Sequence, residues 1–398
     1  MVSSMKRDRA IQVWDGGRNF FARSLQALGD SFAMILLVEA FEAELLHKSI
    51  LGGALGLGML LGAPFLRFCR STPWRANRLL GLLMGFSALA CLVAGWATDI
   101  WVYIIFVTLA VILPYVGLPI STEIYSQFDR KHRGKRFLST VILSNLGVLI
   151  FAQLGGWHLE TVGSRGWLMS GFAVLACLSM FCSFQIPCER VERDFKKLGQ
   201  LWTTLAEDRL FRYMSIAWFL MGTANLWLLP YRNNYLLEEQ FGFQLDPKVV
   251  VALVVLVPEL MRMITSPIYA WLFDRMNFIF LRMLLNAMFA VYAIVFFTAT
   301  TFSGVLIGMV ILGMAQGGGM IAWQLWVTRL VPKEKAPRYM AVHTFLTGVR
   351  KVSTPLLGLW ALQNWGGATC ASISVGLIIA SIVMMVFLLP MGKQRFNH

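Results

Sequence analysis

The sequence has 398 residues, of which 57% are hydrophobic and only 14% are charged, and its mean hydropathy is +0.65. Soluble domains carry roughly 25% charged residues, so the composition excludes a soluble protein of this length. The net charge is +14, but the cations lie between apolar stretches rather than on one soluble segment, so we expect no nucleic-acid partner. The composition predicts an all-α polytopic membrane protein that has the lipid bilayer as a partner.

Twelve apolar windows follow one another along the chain, each about 20 residues long and so able to cross a bilayer as a helix. Lipid offers the backbone no hydrogen bonds, and the apolar runs are continuous rather than alternating, so each window is predicted to be a helix and not a barrel strand. The windows are 20–41, 46–66, 78–98, 101–126, 137–158, 167–187, 211–231, 249–272, 278–299, 302–327, 339–362 and 368–390.

Lys and Arg residues of the connecting segments and of the window ends, with Arg282 counted at such an end, are distributed unequally between the two sides of the predicted membrane. The side that holds the N-terminus has 28 of them and the opposite side has 4. Positively charged loops remain in the cytoplasm, so we expect both termini to be cytoplasmic and the protein to lie in a cell (inner) membrane. The six Cys residues have no CxxC spacing, so we expect no disulfide framework, metal site or cofactor.

The longest charged segment between windows, 188–210, separates two stretches of nearly equal length, 1–187 and 211–398. When window 5 is aligned with window 11, Trp157 falls opposite Trp360. This internal similarity predicts two six-helix bundles of the same orientation, related by an axis along the membrane normal, with a cavity between them. Two structures are open for the segment 188–210: an amphipathic helix on the inner leaflet or a solvated connector.

Short motifs recur in the loops of both halves. One motif begins at Gly62, near the end of window 2, and continues into the next loop with Arg67 and Arg70; the loop after window 8 contains Asp274 followed by Arg275. Two further basic motifs precede windows 5 and 11; they are His-Arg-Gly-Lys-Arg, which contains Arg133, and Val-Pro-Lys-Glu-Lys at 331–335.

Together these four loops resemble the motifs of the major facilitator superfamily, and they cover nearly the whole chain. The resemblance implies the fold of that family, twelve transmembrane helices in two pseudo-symmetric six-helix bundles, and transport by alternating access. It also implies a gating role for the loop residues, and the position of Glu123 near the inner end of window 4 adds that residue. The predicted gating residues are Gly62, Arg67, Arg70, Glu123, Arg133, Asp274 and Arg275.

The chain also departs from the family pattern. Leu66 stands where the family has Asp in the loop after window 2, and Cys69 stands where it has a second Gly. Window 4 has no Arg ahead of Gly117, and the run 152–156 in window 5 lacks the proline of drug/proton antiporters. These departures argue against a standard antiporter.

Five charged residues lie near the centres of predicted helices: Asp30, Glu259, Arg262, Arg350 and Lys351. An unpaired charge at that depth costs about 2.5–3.5 kcal/mol on insertion scales, so each should be paired, hydrated or neutralised. Three of the five are cations and two are acids. A cavity that they line would therefore favour an anionic or zwitterionic solute.

Glu259 and Arg262 are three residues apart, so they share one face of a helix. They form either an internal ion pair or a site in which Glu259 orients the Arg262 guanidinium toward a carboxylate or phosphate. Asp30 is a candidate for proton coupling together with Glu259, or it caps backbone groups or pairs with Arg350. The predicted substrate-binding residues are Arg262, Arg350, Lys351, Glu259, Asn225, Trp227, Gln316, Trp323 and Gln324.

The sequence thus predicts a secondary transporter that moves a small-molecule solute and works as a monomer, with proton coupling left open. Two alternatives remain: an exporter or flippase of amphipathic drugs or lipids, which the 21 Met and 29 Phe residues allow, and a non-transporting sensor on a carrier scaffold. We expect no enzyme, because His343 alone among the His residues lies away from the window ends, and it has no nucleophile or metal partner near it in sequence.

Overall fold

The structure is a computed structural model that describes residues 2–41, 47, 50–51, 54–128, 132–162, 164–191, 193, 195–237, 243–245, 249–250 and 252–396, except for some side chains, that of Asp30 among them. Its helices are α1 (Val2–Ala27), α2 (Ala33–Ala40), α3 (Ala54–Cys69), α4 (Ala76–Gly95), α5 (Ile100–Val116), α6 (Leu118–Tyr125), α7 (Arg133–Thr161), α8 (Arg165–Gln185), α9 (Gln200–Glu207), α10 (Arg209–Leu237), α11 (Val257–Arg275), α12 (Phe278–Phe297), α13 (Phe302–Leu330), α14 (Ala336–Trp365) and α15 (Gly367–Phe396). Two π-helical turns, Leu28–Phe32 and Ala252–Leu256, join α1 to α2 and precede α11.

Helical segments lie in all twelve predicted windows. Within the described residues, eight helical stretches are long and apolar enough to cross a membrane, and α3 is a shorter apolar helix. The prediction of an all-helical membrane protein is confirmed. The number of twelve spans stays a prediction.

The helix ends follow local sequence signals. Asp99 precedes α5 and its carboxylate accepts hydrogen bonds from the amides of Trp101 and Val102, at 2.9 and 3.0 Å. Such caps satisfy amides that have no partner within the helix. Gly117 ends α5, and Pro119 stands in the first turn of α6, where a missing amide hydrogen costs nothing. This break positions Glu123 on the short helix α6.

The first helix is longer than its window predicts. Window 20–41 predicts a helix that begins near residue 20, but α1 begins at Val2. Its polar residues are not all solvated, since Asp15 and Ser24 have no exposed surface. Part of the polar beginning of the chain, Asp15 and Arg18 included, is therefore packed inside the protein, which a hydropathy window does not detect.

The segment 188–210 also differs from the amphipathic helix considered above. Among the described residues of the segment, a helix is formed by Gln200–Glu207, and α10 begins at Arg209. Phe195 is fully buried, whereas Trp202 is 63% exposed. Burial raises the pKa of the Cys188 thiol, which therefore stays protonated and poorly reactive. The described residues of the first part of the segment are not helical, and Arg193 and Phe195 among them are buried.

The chain divides into two compact units. Unit 1 comprises Met1–Asp129, Ser139–Leu201 and Val331–Gly348, and unit 2 comprises Arg130–Leu138, Trp202–Leu330 and Val349–His398. Helices α7 and α14 therefore each contribute residues to both units. The predicted domain boundaries, 1–187, 188–210 and 211–398, stay a prediction.

Each unit has its own hydrophobic core. In unit 1, α4 packs against α5 and α8, and the core includes Phe32, Tyr103 and Phe172. In unit 2, α11 packs against α13, and α15 packs against α10 and α12, around a core that includes Tyr292 and Phe296. Many apolar side chains on the outer faces of these helices are exposed, as expected for surfaces in contact with lipid.

Candidate functional site

Unit 2 brings three of the predicted substrate-binding residues together. Arg262 Nη1 lies 2.8 Å from Glu259 Oε1, and Arg262 Nη2 donates to Gln316 Oε1 at 2.5 Å. Gly317 permits this contact, because a Cβ there would overlap the Thr265 hydroxyl and keep α13 away from α11. The Arg262 guanidinium is thus oriented by an acid on its own helix, α11, and by an amide on α13.

The cluster of Glu259, Arg262 and Gln316 is only partly shielded from solvent. The side chains of Arg262 and Glu259 are 17% and 12% exposed. The second carboxylate oxygen of Glu259, Oε2, is buried and has no hydrogen-bond partner. This oxygen is a position where a donor group of a ligand would be stabilised.

Arg350 belongs to the part of α14 that lies in unit 2. It is 4% exposed on α14, and its Nη1 donates to the backbone carbonyls of Trp218 and Phe219 on α10. A Cβ on Gly222 would overlap the Arg350 guanidinium, so the glycine provides the space that the side chain occupies. Lys351, the next residue, is half-buried.

Arg282 is a second buried cation near Trp218, and the sequence analysis counted it among the loop residues. It is 1% exposed on α12. Its guanidinium carbon lies 3.6 Å from the centre of the Trp218 ring, and its Nη2 donates to the Met221 sulfur at 2.9 Å. Its Nε has no hydrogen-bond partner. A position four residues inside an apolar helix was the sequence signal that could have identified it.

The predicted gating residues Asp274 and Arg133 meet at the beginning of α7. The Asp274 carboxylate, at the end of α11, accepts hydrogen bonds from the amides of Gly134 and Lys135 at 2.7 and 2.9 Å. Arg133 Nη1 donates to the carbonyl of Thr328 at 2.6 Å. All these residues belong to unit 2. Asp274 therefore caps a helix that precedes it by about 140 residues in the chain.

Gly134 makes this approach possible. A Cβ at position 134 would lie 2.6 Å from the Ala270 carbonyl oxygen and 3.0 Å from Asp274 Oδ1. A helix N-terminus carries a partial positive charge, which a carboxylate stabilises. Asp274 and the Arg-Gly-Lys motif thus form one contact. Arg275 does not take part in it; its side chain is exposed and lies against the Trp271 ring.

Glu123, in unit 1, is paired with a residue that the sequence analysis did not select. Arg193 Nε and Nη2 lie 2.6 and 3.2 Å from the two oxygens of the Glu123 carboxylate. Arg193 also donates to the carbonyls of Cys69, which ends α3, and Trp74. Both side chains are buried. Arg193 belongs to the segment 188–210, so this ion pair fastens that segment to α6 and α3.

A second buried ion pair in unit 1 was also missed. Asp15 Oδ1 accepts hydrogen bonds from Arg18 at 2.6 and 3.0 Å, and Asp15 Oδ2 accepts one from Thr140 at 2.9 Å. Arg18 Nη2 also donates to the Tyr125 hydroxyl at 3.1 Å. The acid and the arginine are three residues apart, as in Glu259 and Arg262. That spacing was the available signal, but residues before 20 were not assigned to a helix.

The other predicted residues do not join these clusters through the contacts seen. Asn225, Trp323 and Gln324 are half-buried in unit 2, and the Trp227 ring lies 6.4 Å from that of Trp365. Gly62 packs against Pro119 in unit 1, whereas Arg67 and Arg70 are exposed. The Asp30 side chain lies outside the described residues. Among the described residues, no three His, Cys, Asp or Glu side chains are arranged to hold a metal ion.

Long apolar helices that enclose buried ion pairs define this chain as a multi-pass membrane protein. The family model of the Major Facilitator Superfamily matches residues 20–349. The chain therefore belongs to the major facilitator superfamily, and its class is that of membrane transporters.

Solved structures agree with this fold. The human organic anion transporter MFSD10 (TETRAN) is similar with a TM-score of 0.78 at 15% identity, over 95% of this chain and 99% of that one. The proton:xylose symporter XylE, bound to 6-bromo-6-deoxy-D-glucose, is similar with a TM-score of 0.74 at 13% identity, over 97% of each chain. No curated protein sequence matches the chain. At these identities the similarity concerns the fold alone.

Proposed function

We propose that the protein is a secondary transporter that moves a small organic anion or zwitterion by alternating access. The observation that carries this proposal is the Arg262 guanidinium, held between Glu259 and Gln316 and still partly exposed. A planar guanidinium fixed in this way is suited to bind a carboxylate through two parallel hydrogen bonds. The fixed geometry lowers the entropic cost of ligand binding.

The net charge of the buried groups supports an anionic solute. Glu259 balances Arg262, whereas Arg282 lies on a ring and a thioether. A site that offers more cations than acids attracts an anion and repels a cation. The fold similarity to an organic anion transporter is consistent with this choice.

For proton coupling we propose Glu259, with Asp30 as the second candidate. The free Oε2 of Glu259 supports this assignment, because a proton there would weaken the pair with Arg262 and change how the guanidinium meets a solute. Coupling of solute binding to protonation needs such a shared group. The fold similarity to a proton symporter is consistent with it.

For the inner gate we propose the contact between Asp274 and the first amides of α7. Both hydrogen bonds join a carboxylate to a helix terminus, so they break together when the ends of α7 and α11 separate. Arg133 bound to the Thr328 carbonyl would act at the same place. We place this end of the protein, and both termini, on the cytoplasmic side of a cell membrane.

The test is uptake of radiolabelled carboxylates into proteoliposomes with and without an inward proton gradient. We expect uptake above that of protein-free vesicles, and Arg262→Met should lower the affinity by roughly 10- to 150-fold, since a hydrogen bond to a charged group contributes about 1.5–3 kcal/mol. Glu259→Gln should remove the effect of the proton gradient on uptake. Arg190→Met, which changes an exposed arginine of the segment 188–210, is the control and should transport normally.

Two results would contradict the proposal. In the first, proteoliposomes take up no carboxylate faster than protein-free vesicles do, but they transport neutral amphipathic dyes. This result would identify the protein as an exporter of amphipathic compounds. Binding of a carboxylate without any flux would indicate a sensor.

A further inference from the structure

Arg282 is a buried cation whose surroundings do little to stabilise its charge. Its side chain is 1% exposed, and within the described part of the chain its contacts are the Trp218 ring and the Met221 sulfur. No carboxylate of the described residues forms an ion pair with it. A buried charge is ordinarily paired, because removal from water is costly. Stacking on an indole recovers only part of that cost.

The contacts of Arg282 leave the buried Nε of the guanidinium without an acceptor. The Trp218 ring covers the face of the plane, whereas a carboxylate binds in the plane, along an edge that offers two N–H groups. On the Nε–Nη2 edge, Nε has no partner, and Nη2 has a thioether, which is a weak acceptor. A carboxylate would therefore replace a weak hydrogen bond and supply a missing one.

A second guanidinium approaches the same tryptophan. Arg350 Nη1 donates to the Trp218 carbonyl, while Arg282 stacks on the ring of that residue, so both guanidinium groups contact the same tryptophan. Gly222 keeps the space that the Arg350 guanidinium fills. Two cations that contact one residue repel each other, and an anion bound between them would reverse the sign of that interaction.

We propose that Arg282 and Arg350 form a carboxylate-binding subsite inside unit 2, separate from the cluster of Glu259, Arg262 and Gln316. This inference rests on the proposed transport of an organic anion, and it names the carboxylate as the group that the subsite takes. Arg282 provides the Nε–Nη2 edge, Arg350 provides a second positive charge, and Trp218 orients the first guanidinium by stacking. Met221 is the group that the carboxylate displaces.

The experiment measures thermal unfolding of the purified protein in detergent with added benzoate, inorganic phosphate or phosphatidylglycerol. A ligand that binds the folded state raises the melting temperature in proportion to its occupancy. We expect benzoate to stabilise the wild type. Without ligand, Arg282→Met should melt at a higher temperature than the wild type, because it replaces a buried cation that has no ion-pair partner among the described residues with an apolar side chain of similar volume. The variant should also lose the benzoate shift.

Arg282→Lys separates charge from shape. Lysine keeps the positive charge but has no planar edge, so benzoate should bind at least about tenfold more weakly to this variant, the loss expected for one charge-assisted hydrogen bond. If Arg282→Met does not fold, Arg282→Lys alone decides the question. Arg190→Met is the control and should keep the full shift.

Several results would overturn the subsite. A benzoate shift that Arg282→Met or Arg282→Lys retains would place the anion elsewhere and leave the transport proposal intact. A shift with phosphatidylglycerol alone would assign the cations to a lipid headgroup. No shift with any probe would remove the subsite, whereas the transport proposal would be decided separately by uptake into proteoliposomes.

Discussion

Two buried arginines, one in each unit, have opposite surroundings. Arg193 in unit 1 forms a two-point ion pair with Glu123 and donates to two backbone carbonyls. Arg282 in unit 2 lies on an indole ring and a thioether, with Nε unpaired. Arg18, the other buried arginine of unit 1 considered above, is likewise paired with an acid, Asp15.

This difference separates structural cations from cations that are available to a ligand. A cation with a full set of acceptors has nothing left to bind, and its removal damages the fold. A cation with an unused edge destabilises the fold, and a ligand can use that edge. Sites for function often sacrifice stability in this way. The comparison therefore assigns structure to Arg193 and ligand binding to Arg282.

The largest effect should follow from unpairing Arg193. Glu123→Gln keeps the shape of the side chain but removes its charge, so a buried cation loses its partner. We expect the free energy of unfolding to fall by about 3–5 kcal/mol, the usual cost of breaking a buried ion pair. Denaturant unfolding of the purified protein, followed by tryptophan fluorescence, measures the change.

The control for this prediction is Arg190, three residues before Arg193. Arg190 is exposed, so Arg190→Met should change the free energy of unfolding by no more than about 0.5 kcal/mol. Arg193→Met combined with Glu123→Leu should be more stable than either single variant, with a coupling energy of about 2–3 kcal/mol. Additive effects of the two single substitutions would show that the pair does not hold segment 188–210 to α6.

A smaller effect should follow from filling the space beside Arg350. Gly222→Ala places a methyl group where the guanidinium lies, so Arg350 must move away from the Trp218 carbonyl. Overpacking of this kind costs about 1–3 kcal/mol. In the same unit, a Cβ on Gly376 would meet no atom within 4 Å, so Gly376→Ala should be neutral or stabilise the protein by about 0.5–1 kcal/mol.

Thermal melting of both variants tests this contrast, and benzoate binding extends it. Since Gly222→Ala displaces one cation of the proposed subsite, the benzoate shift should weaken together with stability. Equal melting temperatures for Gly222→Ala and Gly376→Ala would mean that the Arg350 side chain has room to spare, and the argument for a shaped subsite would lose its support.

The sequence was sufficient for the family and for one ion pair. Hydropathy located the helices, because each must bury about 20 apolar residues in lipid. The spacing of Glu259 and Arg262 predicted their contact, since residues three apart share a helix face. The loop motifs carried the superfamily resemblance, which the family match over residues 20–349 confirmed.

Contacts between distant segments were out of reach of the same reasoning. Glu123 was selected, but its partner Arg193 lies 70 residues later in a segment that hydropathy treats as solvated. Arg282 was counted as a loop cation because it lies near the start of a window, although α12 buries it completely. Neither the depth of a side chain nor its partner on another helix is encoded in local periodicity.

Substitution of Asp274 should have the smallest effect on stability, and it best distinguishes a loss of stability from a loss of transport. The Asp274 carboxylate accepts hydrogen bonds from helix amides and not from a cationic side chain in these contacts, and Asp99 caps α5 in the same way. Asp274→Ala and Asp99→Ala should each lower the free energy of unfolding by about 0.5–2 kcal/mol, the cost of losing an N-cap. Matched losses of stability make any difference in transport attributable to position.

Only the Asp274 variant should alter transport, because its cap joins the end of α11 to the beginning of α7, whereas the Asp99 cap is local to one helix. Loss of the inter-helix cap favours the conformation in which the inner ends are apart, so transport that requires closure should slow. The measurement is initial uptake into proteoliposomes at matched protein density, with protection of a cysteine placed at Lys135 as the report on closure. If Asp99→Ala slows uptake as much as Asp274→Ala does, general destabilisation explains both, and Asp274 has no role as a gate.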